Sequence, residues 1–339
     1  MAPLTLFVPG LFVDLVDYPH EESNLNRWPL TALIVARSHR DTLERTSIES
    51  RLLALCGFED VNPQAVPVAA LTSVIDFDGP TLGKLWRADP VHLRVEPNQI
   101  LLFNEQSIMP TVNEADEMIS ALNAGLPEIS VMRGRHPARW YVASNSEQTY
   151  RTRSPYAANG RSIADFLPSG PNATELQRMM NEAQMILHST SANAQRQDRG
   201  EPMINSIWPW GGGELHSPAK RSPNLLIGDD VLLAGIGQCY GIDWLAELAP
   251  NDLMRRIVSE KICPLIVVGS PNGNIDIDVA LAGLDHFENV WAAYIVHALR
   301  RFKIRAVDIV TDRERYSLSS WDMLKIWRRT AISTEVANE

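Results

Sequence analysis

Residues 205–213 read NSIWPWGGG, so that two tryptophans flank a proline and three glycines follow at once. A core strand does not normally end in this way, because consecutive glycines give up side-chain packing and are entropically costly to order. Such a segment suits a place where another group must approach the main chain. We interpret it as a junction between two parts of the chain, in which the tryptophans pack and the glycines allow a tight turn.

Composition places the chain among soluble globular proteins. It has 339 residues, of which 45% are hydrophobic and 21% charged, and this length allows a large α/β core with a second unit attached. The net charge of −10 argues against direct nucleic-acid binding. The three cysteines are far apart in apolar surroundings, which favours reduced thiols and a cytoplasmic location.

The N-terminal apolar run predicts a core strand. It lacks a basic segment at its start, and Pro9, Gly10, Asp14 and Asp17 interrupt it well before it reaches membrane-spanning length. We therefore expect neither a signal peptide nor a membrane partner.

The pattern along the chain predicts an α/β core with an insertion. A hairpin, a helix and a second hairpin follow one another in the middle of the chain, which is typical of a compact α+β unit. Later, two apolar strands at 265–269 and 304–312 enclose a long amphipathic helix, and this order implies a parallel crossover. The predicted domains are a discontinuous core, 1–80 with 200–339, and an inserted domain, 81–199.

One helix of the insertion leaves two interpretations open. Residues 174–188 carry an apolar stripe, and the neighbouring face holds Asn181, Gln184 and His188 where surface helices usually carry Glu and Lys. These polar groups either form hydrogen bonds within the protein, as part of a partly buried helix, or line a ligand site.

Several motifs occur in the order found in a known family. The segments LWRADPVHL (85–93), EADEMISALN (114–123), ARWYV (138–142) and LPSG (167–170) precede the exit segment 179–213, which ends in NSIWPWGGG. This order is similar to the middle of the archaeal-type cofactor-independent phosphoglycerate mutases. The chain also resembles the RpfE-type regulatory proteins, a bacterial group related to those mutases and so to the alkaline phosphatase superfamily.

The resemblance implies an alkaline-phosphatase-like α/β core with an inserted α+β, substrate-binding-like domain. In the mutases, arginines of the insertion clamp a phosphorylated acid, and Arg87, Arg139 and Arg196 occupy the matching motif positions here, with Asn193 near the last. Guanidinium groups match phosphate and carboxylate oxygens bidentately. For each arginine alone, a salt bridge within the insertion is the alternative.

The metal positions of the family depart from its pattern. Catalytic members carry two metal ions held by Asp, Ser or Thr, Glu and His residues, whereas the late motif here keeps Asp312 but has Arg313 in place of the histidine. An arginine cannot ligate a cation. We therefore expect no metal cofactor. The alternative is an atypical manganese or zinc site formed by Asp14, Asp276, Asp278 and Asp312.

These observations predict a ligand site in a cleft between insertion and core. Its expected residues are Arg87, Asp89, His92, Arg139, Asn193, Arg196, Asn205, Trp208, Trp210, Gly211 and Gly212. The function predicted is that of a regulatory or binding pseudoenzyme that recognises a small phosphorylated or carboxylate metabolite or a protein partner. The alternatives are an active metal-dependent phosphohydrolase or phosphoglycerate mutase, and a purely structural partner of another protein.

Overall fold

The structure, a computed structural model, describes residues 4–10, 27–58, 62, 65–79, 84–144, 150–218, 223–260, 262–269 and 277–325. The chain divides into two compact units. The first unit comprises 1–58, 218–237 and 241–339, and the second comprises 59–217 with 238–240.

The described residues form twelve β-strands. They are β1 (Leu4–Phe7), β2 (His39–Thr42), β3 (Leu85–Glu96), β4 (Gln99–Phe103), β5 (Ile129–Arg133), β6 (Trp140–Ser144), β7 (Ser206–Trp210), β8 (Leu225–Ile227), β9 (Asp243–Leu245), β10 (Pro264–Val267), β11 (Ala306–Val310) and β12 (Glu314–Ser319).

The α-helices are α1 (Pro29–Arg37), α2 (Ile48–Leu55), α3 (Val68–Asp76), α4 (Glu105–Ile108), α5 (Val112–Gly125), α6 (Pro155–Ala158), α7 (Ala173–His188), α8 (Ser191–Asp198), α9 (Val231–Tyr240), α10 (Pro250–Glu260), α11 (Ile277–His286) and α12 (Ala293–Arg300). A π-helical segment, Phe287–Ala292, joins α11 to α12. None of the helices in the described ranges combines the length and the apolar character needed to cross a bilayer.

The first unit is built on a seven-stranded sheet in the order β2-β12-β11-β1-β10-β8-β9. The five strands from β11 to β9 run parallel, and β12 and β2 add an antiparallel edge. Strands β10 and β11 both pair with β1, so the predicted parallel crossover spans one intervening strand. The predicted α/β class is therefore confirmed for this unit.

The long helix predicted between β10 and β11 packs on this core. Leu284, Phe287, Trp291, Ile295 and Leu299 are all buried in one hydrophobic cluster with residues of β1, β10 and β11. The π-helical segment widens the helix in its middle, a feature that the amphipathic pattern does not reveal.

The second unit is organised around β3, which has three partner strands. Residues 92–96 of β3 pair with β4, residues 85–87 pair with β6, and residues 87–91 pair with β7, all antiparallel. Strand β5 extends the sheet beyond β6. Helix α5 begins with the predicted capping box, in which Thr111 and Glu114 each bond the other's backbone N–H.

Helix α7 buries the predicted apolar stripe. Leu176, Met180, Ala183 and Leu187 are buried, whereas Asn181 and His188 are exposed to solvent. The polar face of this helix is therefore largely solvated rather than satisfied internally.

The boundaries of the second unit differ from the predicted 81–199. The prediction assigned 200–339 to the core, with residues 205–208 as the chain that rejoins the core sheet. Instead, β7 pairs with β3 in the register Arg87↔Trp210 to Val91↔Ser206, and all five of its residues are buried. Helix α3, assigned to the core by the sequence, also belongs to this unit. The apolar pattern identifies a buried strand, but it does not tell which sheet will pair with it. Pro209 fits β7 because this strand has a single pairing partner.

The three glycines after β7 are required by close packing. Gly211 has φ +67°, a left-handed conformation that glycine adopts without strain. A Cβ atom on Gly212 would lie 2.3 Å from the Trp86 ring, and one on Gly213 would lie 2.0 Å from the carbonyl oxygen of Ala65. The backbone is therefore approached closely here, as expected, but by other parts of the same unit.

We expect Gly213→Ala to destabilise the protein by about 1–3 kcal/mol, because the added methyl overlaps a backbone oxygen and forces the chain to shift. The control is Gly283→Ala in α11, where a Cβ meets no atom within 4 Å. Because alanine is the better helix former, this change should be neutral or stabilise by up to about 1 kcal/mol. Urea unfolding of both variants measures the difference, and equal stabilities would contradict the packing argument.

Candidate functional site

A buried ion pair lies at the centre of the second unit. Arg87 and Asp89 are two residues apart on β3 and so share one face of the sheet. The Arg87 Nε and Nη2 atoms lie 2.9 and 2.7 Å from Asp89 Oδ1, and Nη2 lies 2.8 Å from Oδ2. Both side chains are only 3% exposed. Burial alone would lower the pKa of Arg87, but the Asp89 carboxylate raises it above its usual range, so the guanidinium stays charged.

Neighbouring tryptophans complete the bonding of Asp89. The indole Nε1 of Trp210 donates to Asp89 Oδ2 at 2.7 Å, and the backbone N–H of Trp140 donates to Oδ1 at 3.4 Å. The Arg87 guanidinium lies 5.3 Å from the Trp210 ring and 5.5 Å from the Tyr141 ring. Such cation–π contacts further stabilise the buried charge.

A second arginine–carboxylate pair adjoins the first through Tyr141. Arg139 Nε and Nη2 donate to Asp76 Oδ2 and Oδ1 at 2.8 and 2.7 Å, and the Tyr141 hydroxyl lies 2.6 Å from Asp76 Oδ2. Burial would raise the pKa of Asp76, but the hydrogen bonds from Arg139 and Tyr141 outweigh it and lower that pKa. The Arg139 side chain is 19% exposed, so it is less deeply buried than that of Arg87.

A carboxylate that sequence reasoning missed also belongs to this region. The Tyr156 hydroxyl lies 3.0 Å from both oxygens of Glu105, and the Tyr156 ring packs edge-on against Trp210 at 5.8 Å. Burial and the nearby charge of Asp89 raise the pKa of Glu105. We call Arg87, Asp89, Arg139, Asp76 and Glu105, with Tyr141, Tyr156 and Trp210, the arginine–carboxylate cluster. No motif marks Asp76, Glu105 or Tyr156, because only the fold brings them together.

Arg196 and Asn193 lie elsewhere in the same unit and hold the chain in place. Arg196 Nη1 donates to Glu114 Oε2 at 3.0 Å, Nε donates to the Pro202 carbonyl at 2.8 Å, and Nη2 donates to the Ile108 carbonyl. The amide of Asn193 bonds the backbone of Leu187 and of Ile204 at 2.8–2.9 Å.

Three further predicted residues form hydrogen bonds that connect β3, β7 and the segment before β7 to neighbouring parts of the chain. His92 Nδ1 lies 2.8 Å from the Met203 carbonyl, and the Asn205 side chain bonds both the N–H and the C=O of Leu93. Trp208 Nε1 donates to the Arg153 carbonyl at 2.8 Å. The structure thus brings Arg87, Asp89, Arg139 and Trp210 together, and Trp208 lies directly opposite Asp89 in the strand register. Ligand contacts by all of these residues stay predictions.

The alternative metal site lies partly outside the described residues. Asp14 and Asp276 lie outside the described residues, as does the side chain of Asp278. Asp312 follows β11, and its Oδ2 accepts the Gly10 N–H at 2.7 Å. Within the described ranges, no three His, Cys, Asp or Glu side chains are grouped as ligands of one metal ion.

The surroundings of Asp312 are cationic. The positive charges of Arg313 and Arg51 both act on its carboxyl group, and burial raises its pKa in spite of them. Arg51 on α2 is in turn affected by Arg315 on β12: burial and the like charge of Arg315 lower the pKa of Arg51. Guanidinium groups repel a divalent cation, so the charges of Arg51 and Arg313 oppose a metal ion beside Asp312.

The comparisons with known proteins concern both sequence and fold. No family model matches the chain. Over 137 residues, 38% of its length, the chain is 30% identical to a protein described as a probable 2,3-bisphosphoglycerate-independent phosphoglycerate mutase from Geobacter sulfurreducens. This region of the chain is therefore similar to part of that protein. The match spans 34% of that protein's length, about a third.

Two solved structures resemble this one. The PH0037 protein from Pyrococcus horikoshii has a TM-score of 0.50 at 13% identity, with 94% of this chain and 87% of that chain covered. The cofactor-independent phosphoglycerate mutase from Thermoplasma acidophilum has a TM-score of 0.46 at 15% identity, with 94% and 90% covered. The likeness to PH0037 shows the fold alone, and this fold agrees with the predicted α/β class. The assignment to the alkaline phosphatase superfamily stays a prediction. The relationship to RpfE-type proteins stays a prediction.

We expect Arg87→Met to destabilise the protein by about 3–5 kcal/mol, because it leaves the Asp89 charge buried without its counterion. The double variant Arg87→Met/Asp89→Asn removes that charge and keeps an oxygen acceptor for Trp210. The double variant should recover at least half of the stability that Arg87→Met loses. Urea unfolding followed by tryptophan fluorescence measures both, and equal losses would contradict an electrostatic origin.

Proposed function

We propose that this chain is a phosphoglycerate-mutase-like protein of the cytoplasm that binds a small phosphorylated or carboxylate metabolite and acts as a regulatory or binding protein. The related 137-residue region supports the relationship to the mutases. The cationic surroundings of Asp312 support the absence of metal-dependent phosphoryl transfer, and they are the observation on which the proposal depends.

Two arginines near Asp312 retain donors for an anion. The Nε atoms of Arg51 and Arg315 are shielded from solvent and have no hydrogen-bond partner within the described part of the chain. A buried donor without an acceptor is unfavourable, and two neighbouring positive charges add to that cost. A phosphate or carboxylate bound by the two guanidinium groups would offset their repulsion.

Their position agrees with general rules for α/β folds. Asp312 directly follows Thr311 at the carboxyl end of β11, and Gly10 lies just beyond β1, the neighbouring parallel strand. Ligands of open α/β sheets bind at the carboxyl ends of the parallel strands, where the connections leave in opposite directions. By contrast, Arg87, Arg139 and Arg196 are already paired with carboxylates, so an anion would have to compete with Asp89, Asp76 or Glu114.

One observation favours the alternative of an active metal-dependent phosphohydrolase or mutase. Asp312 Oδ1 is shielded and has no hydrogen-bond partner among the described residues, so it could ligate a cation. A protein partner remains the alternative to a small ligand.

We expect phosphorylated three-carbon acids to raise the melting temperature by about 5 °C at 100 times the dissociation constant, because a ligand of the native state stabilises by about 2.7 kcal/mol there. Differential scanning fluorimetry should show this shift lost in Arg51→Ala and Arg315→Ala. The exposed Arg45→Ala, with the same charge change, is the control and should respond like wild type.

Other outcomes of this screen separate the proposals. A shift lost only in Arg139→Ala or Arg196→Ala would transfer the anion site to the second unit. The absence of any shift with acids or nucleotides would contradict metabolite binding and favour a protein partner.

We expect no manganese or zinc site tighter than nonspecific binding, because cations are repelled by the arginines and carboxylates alone hold such ions weakly. Isothermal titration calorimetry and a phosphatase assay with manganese measure binding and turnover. A micromolar site that is abolished by Asp312→Ala, together with turnover, would establish the enzyme alternative.

A further inference from the structure

Helix α12 of the first unit ends in a Schellman motif whose left-handed residue is Phe302. The N–H of Lys303 bonds the Ala298 carbonyl at 2.9 Å, and the N–H of Phe302 bonds the Leu299 carbonyl at 3.0 Å. Phe302 has a φ of +54°. Glycine is usual at this position of the motif, because the Cβ atom of any other residue crowds the following carbonyl oxygen and strains the backbone.

Burial of the ring does not offset the strain at Phe302. This residue is 54% exposed, so its ring contributes little to the hydrophobic core. The ring packs edge-on against that of Trp321, with the centroids 5.7 Å apart, but Trp321 is itself 71% exposed. Strained backbone conformations cluster at functional sites. The strain therefore points to a role of the exposed Phe302 ring outside the fold.

A third exposed apolar side chain adjoins the two rings. A 3₁₀ turn, Asp322–Leu324, has Trp321 as its N-cap, and the N–H of Leu324 bonds the Trp321 carbonyl at 3.1 Å. Side chains three positions apart on such a turn lie on the same side. Leu324 is 54% exposed. We call Phe302, Trp321 and Leu324 the aromatic patch.

Basic residues lie beside the aromatic patch. Arg301 and Lys303 flank Phe302 in the chain. The carbonyl of Arg305 accepts the N–H of Ser320 at 2.9 Å, which brings Arg305 next to the start of the 3₁₀ turn. These three basic residues are exposed, and none of them forms an ion pair with an acidic residue in the described part of the chain.

Arg300 adds a fourth exposed positive charge near the 3₁₀ turn. Burial and the charge of Arg300 lower the pKa of Arg37, and Arg37 Nη1 donates to the carbonyl of Met323 in that turn at 2.5 Å. The acidic residue of the turn, Asp322, is already paired with Lys325. The surroundings of the patch therefore carry excess positive charge, although the net charge of the protein is −10.

This combination favours an acidic protein segment as the partner. Tryptophan and arginine contribute most at protein interfaces, where an apolar centre is surrounded by polar groups. The two rings lie at 76° to each other and so do not offer parallel faces to successive nucleic-acid bases. An anionic membrane surface is extended and meets the negative charge of the rest of the protein. A short acidic segment contacts the basic surroundings of the patch alone.

We propose that the aromatic patch binds an acidic segment of a partner protein. An apolar side chain of that segment packs on Trp321 and Phe302, and its carboxylates pair with the exposed basic residues beside them. This surface is assigned independently of the anion site near Asp312.

The test begins with selection of random twelve-residue peptides, displayed on phage, on the immobilised full chain. We expect the selected sequences to place aspartate and glutamate around an apolar residue. Fluorescence anisotropy of a selected peptide then measures affinity. Trp321→Ala should weaken binding at least about tenfold, the usual effect of removing a central interface residue. Met185→Ala removes an equally exposed apolar side chain of α7 in the other unit and should bind like wild type.

Phe302→Gly separates binding from folding. Glycine adopts the left-handed conformation without strain, so this variant should melt no lower than wild type. It should nevertheless bind the peptide about fivefold more weakly, because it lacks the ring. The double variant Arg301→Glu/Lys303→Glu should weaken binding about tenfold, whereas Arg45→Glu, an exposed arginine elsewhere, should have no effect.

Four results would overturn the proposal. They are the failure to select any peptide, the selection of peptides without acidic residues, peptide binding by Trp321→Ala and Phe302→Gly equal to that of wild type, and peptide binding unchanged by the double charge reversal. Binding to phosphatidylserine vesicles that Trp321→Ala abolishes would assign the patch to a membrane instead. Dimerisation in sedimentation velocity that the same variant abolishes would assign it to a second copy of this chain.

Discussion

The second unit depends on the burial of the Arg87–Asp89 pair within β3. Two desolvated charges are tolerated only when they neutralise each other and their remaining bonding capacity is met. Trp210 on β7 and the backbone of Trp140 on β6 supply these bonds. The pair therefore couples three strands. If one strand loses its bond to the pair, a buried charge is left without a hydrogen-bond partner.

The ion pairing of buried arginines changes how the arginine motifs of the sequence are interpreted. The resemblance to the mutases implies that Arg87, Arg139 and Arg196 bind an anion. Each of them, however, forms a close ion pair with a carboxylate of the same unit. Arg51 and Arg315 match no motif, but the Nε atom of each has no hydrogen-bond partner among the described residues. What distinguishes a binding arginine from a structural one is whether its donors are free, and a motif does not record this.

The sequence by itself determined the elements that follow from local hydrophobic patterns and capping residues. These are the hairpin of β3 and β4, the capping box of α5, the apolar stripe of α7 and the amphipathic helix before β11. It also determined that three consecutive glycines follow β7, where the backbone is closely approached. Only the tertiary structure decided that β7 pairs with β3 rather than with the core sheet, since burial gives the same apolar pattern in either sheet. The tertiary structure alone also joined Asp76, Glu105 and Tyr156 to Arg87, because their contacts connect residues distant in sequence, which local spacing does not encode.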